Sequence, residues 1–133
     1  MSLSSYLPQH DGYLPKWLLL VSVISTLNTF QAYTNPTYTG QLYSAGPVTP
    51  LSSRKFGTWT FLSSVVRLYA AYYISEQHVY DLAMWTYGIA LAHFVSEWLV
   101  FGSARAQGRF VGPLAVASAS FAWMFTQRGW YVK

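Results

Sequence analysis

The sequence has no cysteine and very little charge, with four acids and eight bases in 133 residues. Without cysteine there is no disulfide, no thiolate metal ligand and no cysteine nucleophile. Charged residues make up 9% of the chain, against about 25% in an ordinary soluble domain. That is too few to cover a water-facing surface of this size in the usual way. The three histidines, His10, His78 and His93, fall on different segments. They cannot form the histidine boxes of a di-iron membrane oxygenase, and no metal site is expected. GxGxxG, GxxxxGK[ST] and GxSxG are absent as well, which removes the usual dinucleotide, phosphate-loop and nucleophile-elbow sites. Catalysis is poorly supplied, and no cofactor is expected.

What remains is apolar. Hydrophobic residues form 53% of the chain and aromatics 19%, and they run in long blocks rather than short core-facing stripes. The class this implies is a single membrane-embedded domain covering residues 1–133. The net charge of +4 comes from bases scattered singly or in pairs near block ends. They read as membrane-flanking charges and not as a nucleic-acid surface, which would need a basic run or stripe.

Four helical segments are expected, at residues 17–33, 56–74, 79–102 and 110–126. The first, WLLLVSVISTLNTFQAY, is read as a retained helix and not a cleaved signal, because no basic tail precedes it and no A-x-A-like site follows. SEQH at 75–78 and SARAQGR at 103–109 are short connections that make neighbouring segments antiparallel. The loop at 34–55 is rich in Pro, Gly, Ser, Thr and Tyr and holds no apolar run long enough for a helix. The fold class is therefore an all-α, integral-membrane four-helix bundle with both termini on one side. Flanking bases, Arg54, Lys55, Arg105 and Arg109 on one side against Lys16, Arg128 and Lys133 on the other, leave its orientation open.

Ionisable residues inside such segments are costly, so each is a candidate site. A hairpin turning about residue 77 sets Arg67 level with residue 87, about 15 Å in depth from Glu97 at 1.5 Å per residue. An Arg67–Glu97 pair is thus disfavoured, and Arg67 is expected to reach toward Asp81, Glu76 or the headgroups. Glu97 falls near the depth of Gly57, within reach of Arg54 or Lys55. His93 lies one turn deeper on nearly the same face, since residues i and i+4 are helix neighbours. Asn28, Gln31, His93 and Glu97 are expected to form one polar layer. It serves either as interhelical glue or as an acid/base pair of His93 and Glu97 in a cavity. In the fourth segment, Ala115 and Ala119, Ser118 and Ala122, with Gly112 extending the row, give small-xxx-small spacing. This is a candidate face for packing within the monomer, for a homodimer or for a partner.

The blocks WLLLVSVISTLNTFQAY, SRKFGTWTFLSSVVRLYAAYYI, YDLAMWTYGIALAHFVSEWLVFG and GPLAVASAS, in order over most of residues 16–122, strongly resemble the ergosterol biosynthetic protein 28 family, with fungal members closest in wording. The resemblance implies a non-catalytic, multi-pass protein of the endoplasmic reticulum membrane. It implies as partners the sterol C-4 methyl oxidase, the C-4 decarboxylase and the 3-ketosteroid reductase, with membrane lipid or sterol as surroundings and no nucleic acid. The family's polar pattern falls on Asn28, Gln31, Arg67, His93 and Glu97 without a catalytic role, which favours glue. A small sterol isomerase using His93 and Glu97, or a sterol-binding carrier, is the alternative.

Overall fold

A computed structural model describes residues 6–132 apart from Gln9, Asp11, Ala106 and Gln107. The elements in order are α1 (Leu14–Thr34), a short α2 (Thr37–Leu42), α3 (Pro50–Tyr72), α4 (Gln77–Leu99), a 3-10 turn (Gly108–Phe110) and α5 (Val111–Tyr131). The described residues contain no strand. In α1, α4 and α5 a set of buried positions follows a 3-4 spacing. They are Leu14, Leu18, Val21 and Ser25 in α1, Tyr80, Ala83, Tyr87, Ala90 and Phe94 in α4, and Ala117, Ser120 and Met124 in α5. Such a seam lets neighbouring helices pack at shallow angles in a bundle.

Successive long helices are antiparallel. Ser53 Oγ at the start of α3 donates to Ala32 O near the end of α1 at 2.7 Å, and the Tyr80 hydroxyl in α4 donates to Met124 O in α5 at 2.5 Å. The ring closes between α1 and α5, where Trp17 Nε1 donates to Ser120 Oγ at 2.8 Å and Leu14 N to the Tyr131 hydroxyl at 3.2 Å. The first residue of α1 and the last of α5 therefore meet at one end of the bundle.

Three expectations change. The loop at 34–55 carries a helix after all, α2, whose Thr39 and Leu42 are buried. Tertiary burial, not an apolar run, holds this one-and-a-half-turn segment. α3 also starts six residues earlier than expected, at Pro50, because Thr49 and Ser52 form a reciprocal capping box and Pro50 occupies the first turn, a combination that sets a helix start. The fourth helix runs on to Tyr131, which seats on Tyr80 with ring centroids 6.4 Å apart.

The four long helices have 21 or 23 residues each. Even so, among the described residues no helix is long and apolar enough to cross a membrane. The shortfall lies in apolar content, since Ser22, Ser25, Thr26, Asn28, Thr29 and Gln31 interrupt α1 and serines recur along α3. Several of these hydroxyls close on carbonyls of their own helix: Ser22 on Leu18, Thr26 on Ser22, Thr29 on Ser25. Some of this polarity is enclosed. Ser22, Ser53, Ser64, Arg67 and Ser120 are buried, while Leu20, Val23, Leu27, Phe30, Leu62, Leu82, Trp85 and Phe125 are exposed.

At the start of α4, the Glu76 carboxylate accepts from the backbone N–H groups of His78 and Val79 at 3.2 and 2.9 Å. These bonds to the charged form pull its pKa below the usual 4.5. A depressed carboxyl contributes stability that is complete above its unfolded value and is lost as pH falls through its folded value. Glu76→Gln should therefore lower the thermal midpoint at neutral pH, and the gap to the parent should narrow below pH about 4.5. A pH-independent gap would show that the charge plays no part.

Candidate functional site

The expected single polar layer is divided between two clefts. His93 and Glu97, on α4, line a cleft of about 490 Å³ together with Tyr43, Lys55, Trp59 and Ser103. Asn28 and Gln31, on α1, line another of about 470 Å³ with Tyr38, Gln41 and Arg109. Gln31 is exposed and Asn28 half-buried. The helical register is right for each pair, but the facing residues come from α2 and the turn before α5. A bare bundle reading of the sequence did not contain those elements.

In the first cleft His93 Nε2 and the Tyr43 hydroxyl share a 2.6 Å hydrogen bond, and the imidazole lies 5.3 Å from the Trp59 ring. Burial pushes the Tyr43 phenol well above its ordinary range, and the neighbouring Glu97 carboxylate adds to the effect. The hydroxyl thus stays protonated. Glu97 accepts a short hydrogen bond from Ser103 Oγ, and its own carbonyl receives Ala104 N at 3.2 Å. It fastens the loop after α4 instead of pairing with Arg54 or Lys55. Lys55 shares the cleft without an ion pair to Glu97. His93 and Glu97 each have a protein partner, as residues that hold packing register do.

Between the two clefts is a cavity of about 280 Å³ at the bundle's centre. Ile24, Asn28 and Tyr38 separate it from one cleft, Phe56 and Trp59 from the other. Arg67 reaches this cavity. It lies level with residue 87, as the hairpin register predicts, and its guanidinium stands 4.0 Å over the Tyr87 ring. Its expected reach toward Asp81 or Glu76 does not occur. Nε donates to Thr86 Oγ1 at 3.0 Å, Glu76 caps α4, and Asp81 is held by Arg128 through two bonds of 2.7 and 2.9 Å. The extension of α5 past residue 126 supplies that competing base.

The row Gly112, Ala115, Ser118, Ala119 and Ala122 is exposed throughout. α5 instead turns Ala117, Ser120 and Met124 inward, so the small residues do not mediate packing inside the monomer. Sequence reasoning overlooked Tyr43, Thr86, Tyr87 and Ser103. The seven-residue steps from Tyr80 to Tyr87 to Phe94 mark Tyr87 as a seam residue, whereas nothing local marks Tyr43 or Ser103. Among the described residues no group of three or more His, Cys, Asp or Glu side chains could hold a metal ion.

These features define a small all-helical protein with many large apolar side chains exposed and a mainly apolar core that encloses a few hydroxyls and Arg67. Residues 14–122 match the family model described as Erg28 like protein, and the chain belongs to that family. It is 46% identical over 125 residues to ergosterol biosynthetic protein 28 of Candida albicans, covering 92% of this chain and 91% of the relative. To the Saccharomyces cerevisiae protein of the same name it is 45% identical, covering 90% and 83%. The human homologue is 41% identical over 110 residues, covering 80% and 79%. No solved structure matches.

Proposed function

We propose that this protein is a non-catalytic scaffold of sterol biosynthesis, seated in the endoplasmic reticulum membrane as a multi-pass bundle. On this reading its outer faces gather the C-4 methyl oxidase, the C-4 decarboxylase and the 3-ketosteroid reductase. The relatives' names, ergosterol biosynthetic protein 28, support the pathway. The observation that carries the scaffold reading is the exterior: large apolar side chains such as Leu27, Phe30, Trp85 and Phe125 stand exposed, around a core that takes in several serines and Arg67 among its apolar side chains. Such an exterior suits lipid and other apolar helices better than water. The exposed row from Gly112 to Ala122 offers α5 as a face for close helix approach. Tethering raises the effective concentration of one enzyme's product at the next without this chain touching a reacting bond.

A mild-detergent pull-down of the tagged chain, with mass spectrometry of co-purifying proteins, tests this. The three enzymes should be recovered, and the His93→Gln, Glu97→Gln double variant should recover less of them, because it loosens the loop and α2 that shape that end of the bundle. A chain that comes down alone defeats the scaffold reading. His93, Glu97 and Tyr43 sharing one cleft favours as second reading a small sterol isomerase. Purified protein turning over a sterol double bond, and losing that activity with His93→Gln, would establish it. A sterol carrier would retain binding in the same variant.

A further inference from the structure

The central cavity joins two features that the scaffold role does not use. Its walls are mostly apolar, from Val21, Phe56, Trp59, Phe94 and Val116. At one place they carry Arg67, only 7% exposed, stacked on the fully buried Tyr87. No acid among the described residues pairs with Arg67, the sole ion pair there being Asp81 with Arg128. Of the Arg67 N–H groups only Nε–H donates a hydrogen bond among the described residues, to Thr86. The Tyr87 hydroxyl is buried without a hydrogen bond of ordinary geometry. It lies beside Ser120, whose oxygen already accepts from Trp17.

A guanidinium in an apolar interior is costly unless an anion or several acceptors meet it. The planar fork of guanidinium N–H groups matches a carboxylate in geometry as well as charge. We propose that this cavity binds a carboxylate-headed lipid, its head on the Nη groups of Arg67 and its hydrocarbon against Phe56, Trp59, Phe94 and Val116. The volume limits the body. Since a dry cavity of about 150 Å³ admits benzene, the 280 Å³ here accommodates about ten carbons, a chain or the leading ring of a larger molecule. Asn28 and Tyr38, at the border with the neighbouring cleft, mark the side where a longer body would emerge. The inference is independent of tethering, because it concerns the isolated chain.

The test uses the purified full chain in detergent and a photoreactive dodecanoic acid, with labelled residues mapped by mass spectrometry. Competitors are dodecanoate, dodecanol and a fused-ring carboxylic acid. Labelling should concentrate on cavity-lining residues, and dodecanoate should displace it about tenfold or more better than dodecanol. Whichever of the straight-chain and fused-ring acids competes better identifies the body the cavity takes. Arg67→Gln should erase the preference for acid over alcohol. Equal competition by acid and alcohol in the parent protein would overturn the proposal without recourse to any variant. So would labels spread over the outer helix faces, or an unchanged preference in a folded Arg67→Gln chain.

Discussion

Phe110→Ala should lower the stability of the folded chain by about 3 to 5 kcal/mol, the range for truncating a core aromatic. Phe110 is fully buried in the turn that precedes α5, and its ring meets Phe94 edge to face at 5.6 Å. Phe94 in turn contacts Trp59 at 6.2 Å, so the ring supports the wall shared by the central cavity and the His93 cleft. α2 also packs on this turn. Loss of the ring leaves a void that two short elements cannot collapse to fill, because each is held at only one or two buried positions. Thermal unfolding in one fixed detergent, followed by circular dichroism, gives the readout. Phe125→Ala, 67% exposed, is the comparison and should stay within about 0.5 kcal/mol of the parent. Equal losses from the two variants would mean that the Phe110 cluster contributes nothing special.

The second large effect belongs to Gly57. A Cβ built there would stand 3.0 Å from Tyr33 Cδ1 and 3.1 Å from Ala32 Cβ, at the point where α1 and α3 come closest. The same stretch carries Ser53 Oγ to Ala32 O and, at 3.2 Å, Thr29 Oγ1 to Gly57 O. A leucine at 57 has no free direction toward α1, so it must part the two helices and break these bonds. Overpacking alone costs about 1 to 3 kcal/mol, and each lost buried hydrogen bond adds about 1 kcal/mol. Gly57→Leu should therefore abolish a cooperative thermal transition or lower its midpoint severely. Gly57→Ala is a different case. Its methyl needs its neighbours to yield by a few tenths of an ångström, and against that stands a gain of up to about 1 kcal/mol in helix propensity. The alanine variant should remain near parental stability. If leucine were tolerated as well as alanine, the α1–α3 seam would not be the tight contact described.

The helices are legible in the sequence because apolar residues run in long blocks between short polar connections, and a hairpin about residue 77 sets Arg67 level with residue 87 by arithmetic alone. Partners were less legible. Depth sets Arg67 toward Asp81, Glu76 or the headgroups, but Glu76 caps α4 and Asp81 is taken by Arg128, on a helix that continues through the polar residues Gln127 and Arg128. Glu97 was assigned to a base, but it turns to Ser103, six residues on, because a loop folding back over a helix end wins on proximity. The His93 partner was invisible, since Tyr43 comes from a segment with no periodic signal and is brought in by burial of Thr39 and Leu42. The small-residue row of α5 was recognised as a face, but spacing alone does not say which of two faces points inward. Met124 and Tyr131, in step with Ala117 and Ser120, decide that.

The hydroxyls that close on carbonyls within their own helix carry one more consequence. Thr126 donates to Ala122 O, Ser118 to Leu114 O and Thr26 to Ser22 O, so each is satisfied within four residues of itself. Exchange for valine or alanine at such a position removes donor and acceptor demand together and orphans no buried group. Sequence drift across Ser, Thr, Ala and Val there is nearly free, yet every exchange moves a helix's average hydropathy. Two chains of one and the same architecture can therefore differ in the average hydropathy of a given helix, so hydropathy alone is a poor guide to what this fold unites.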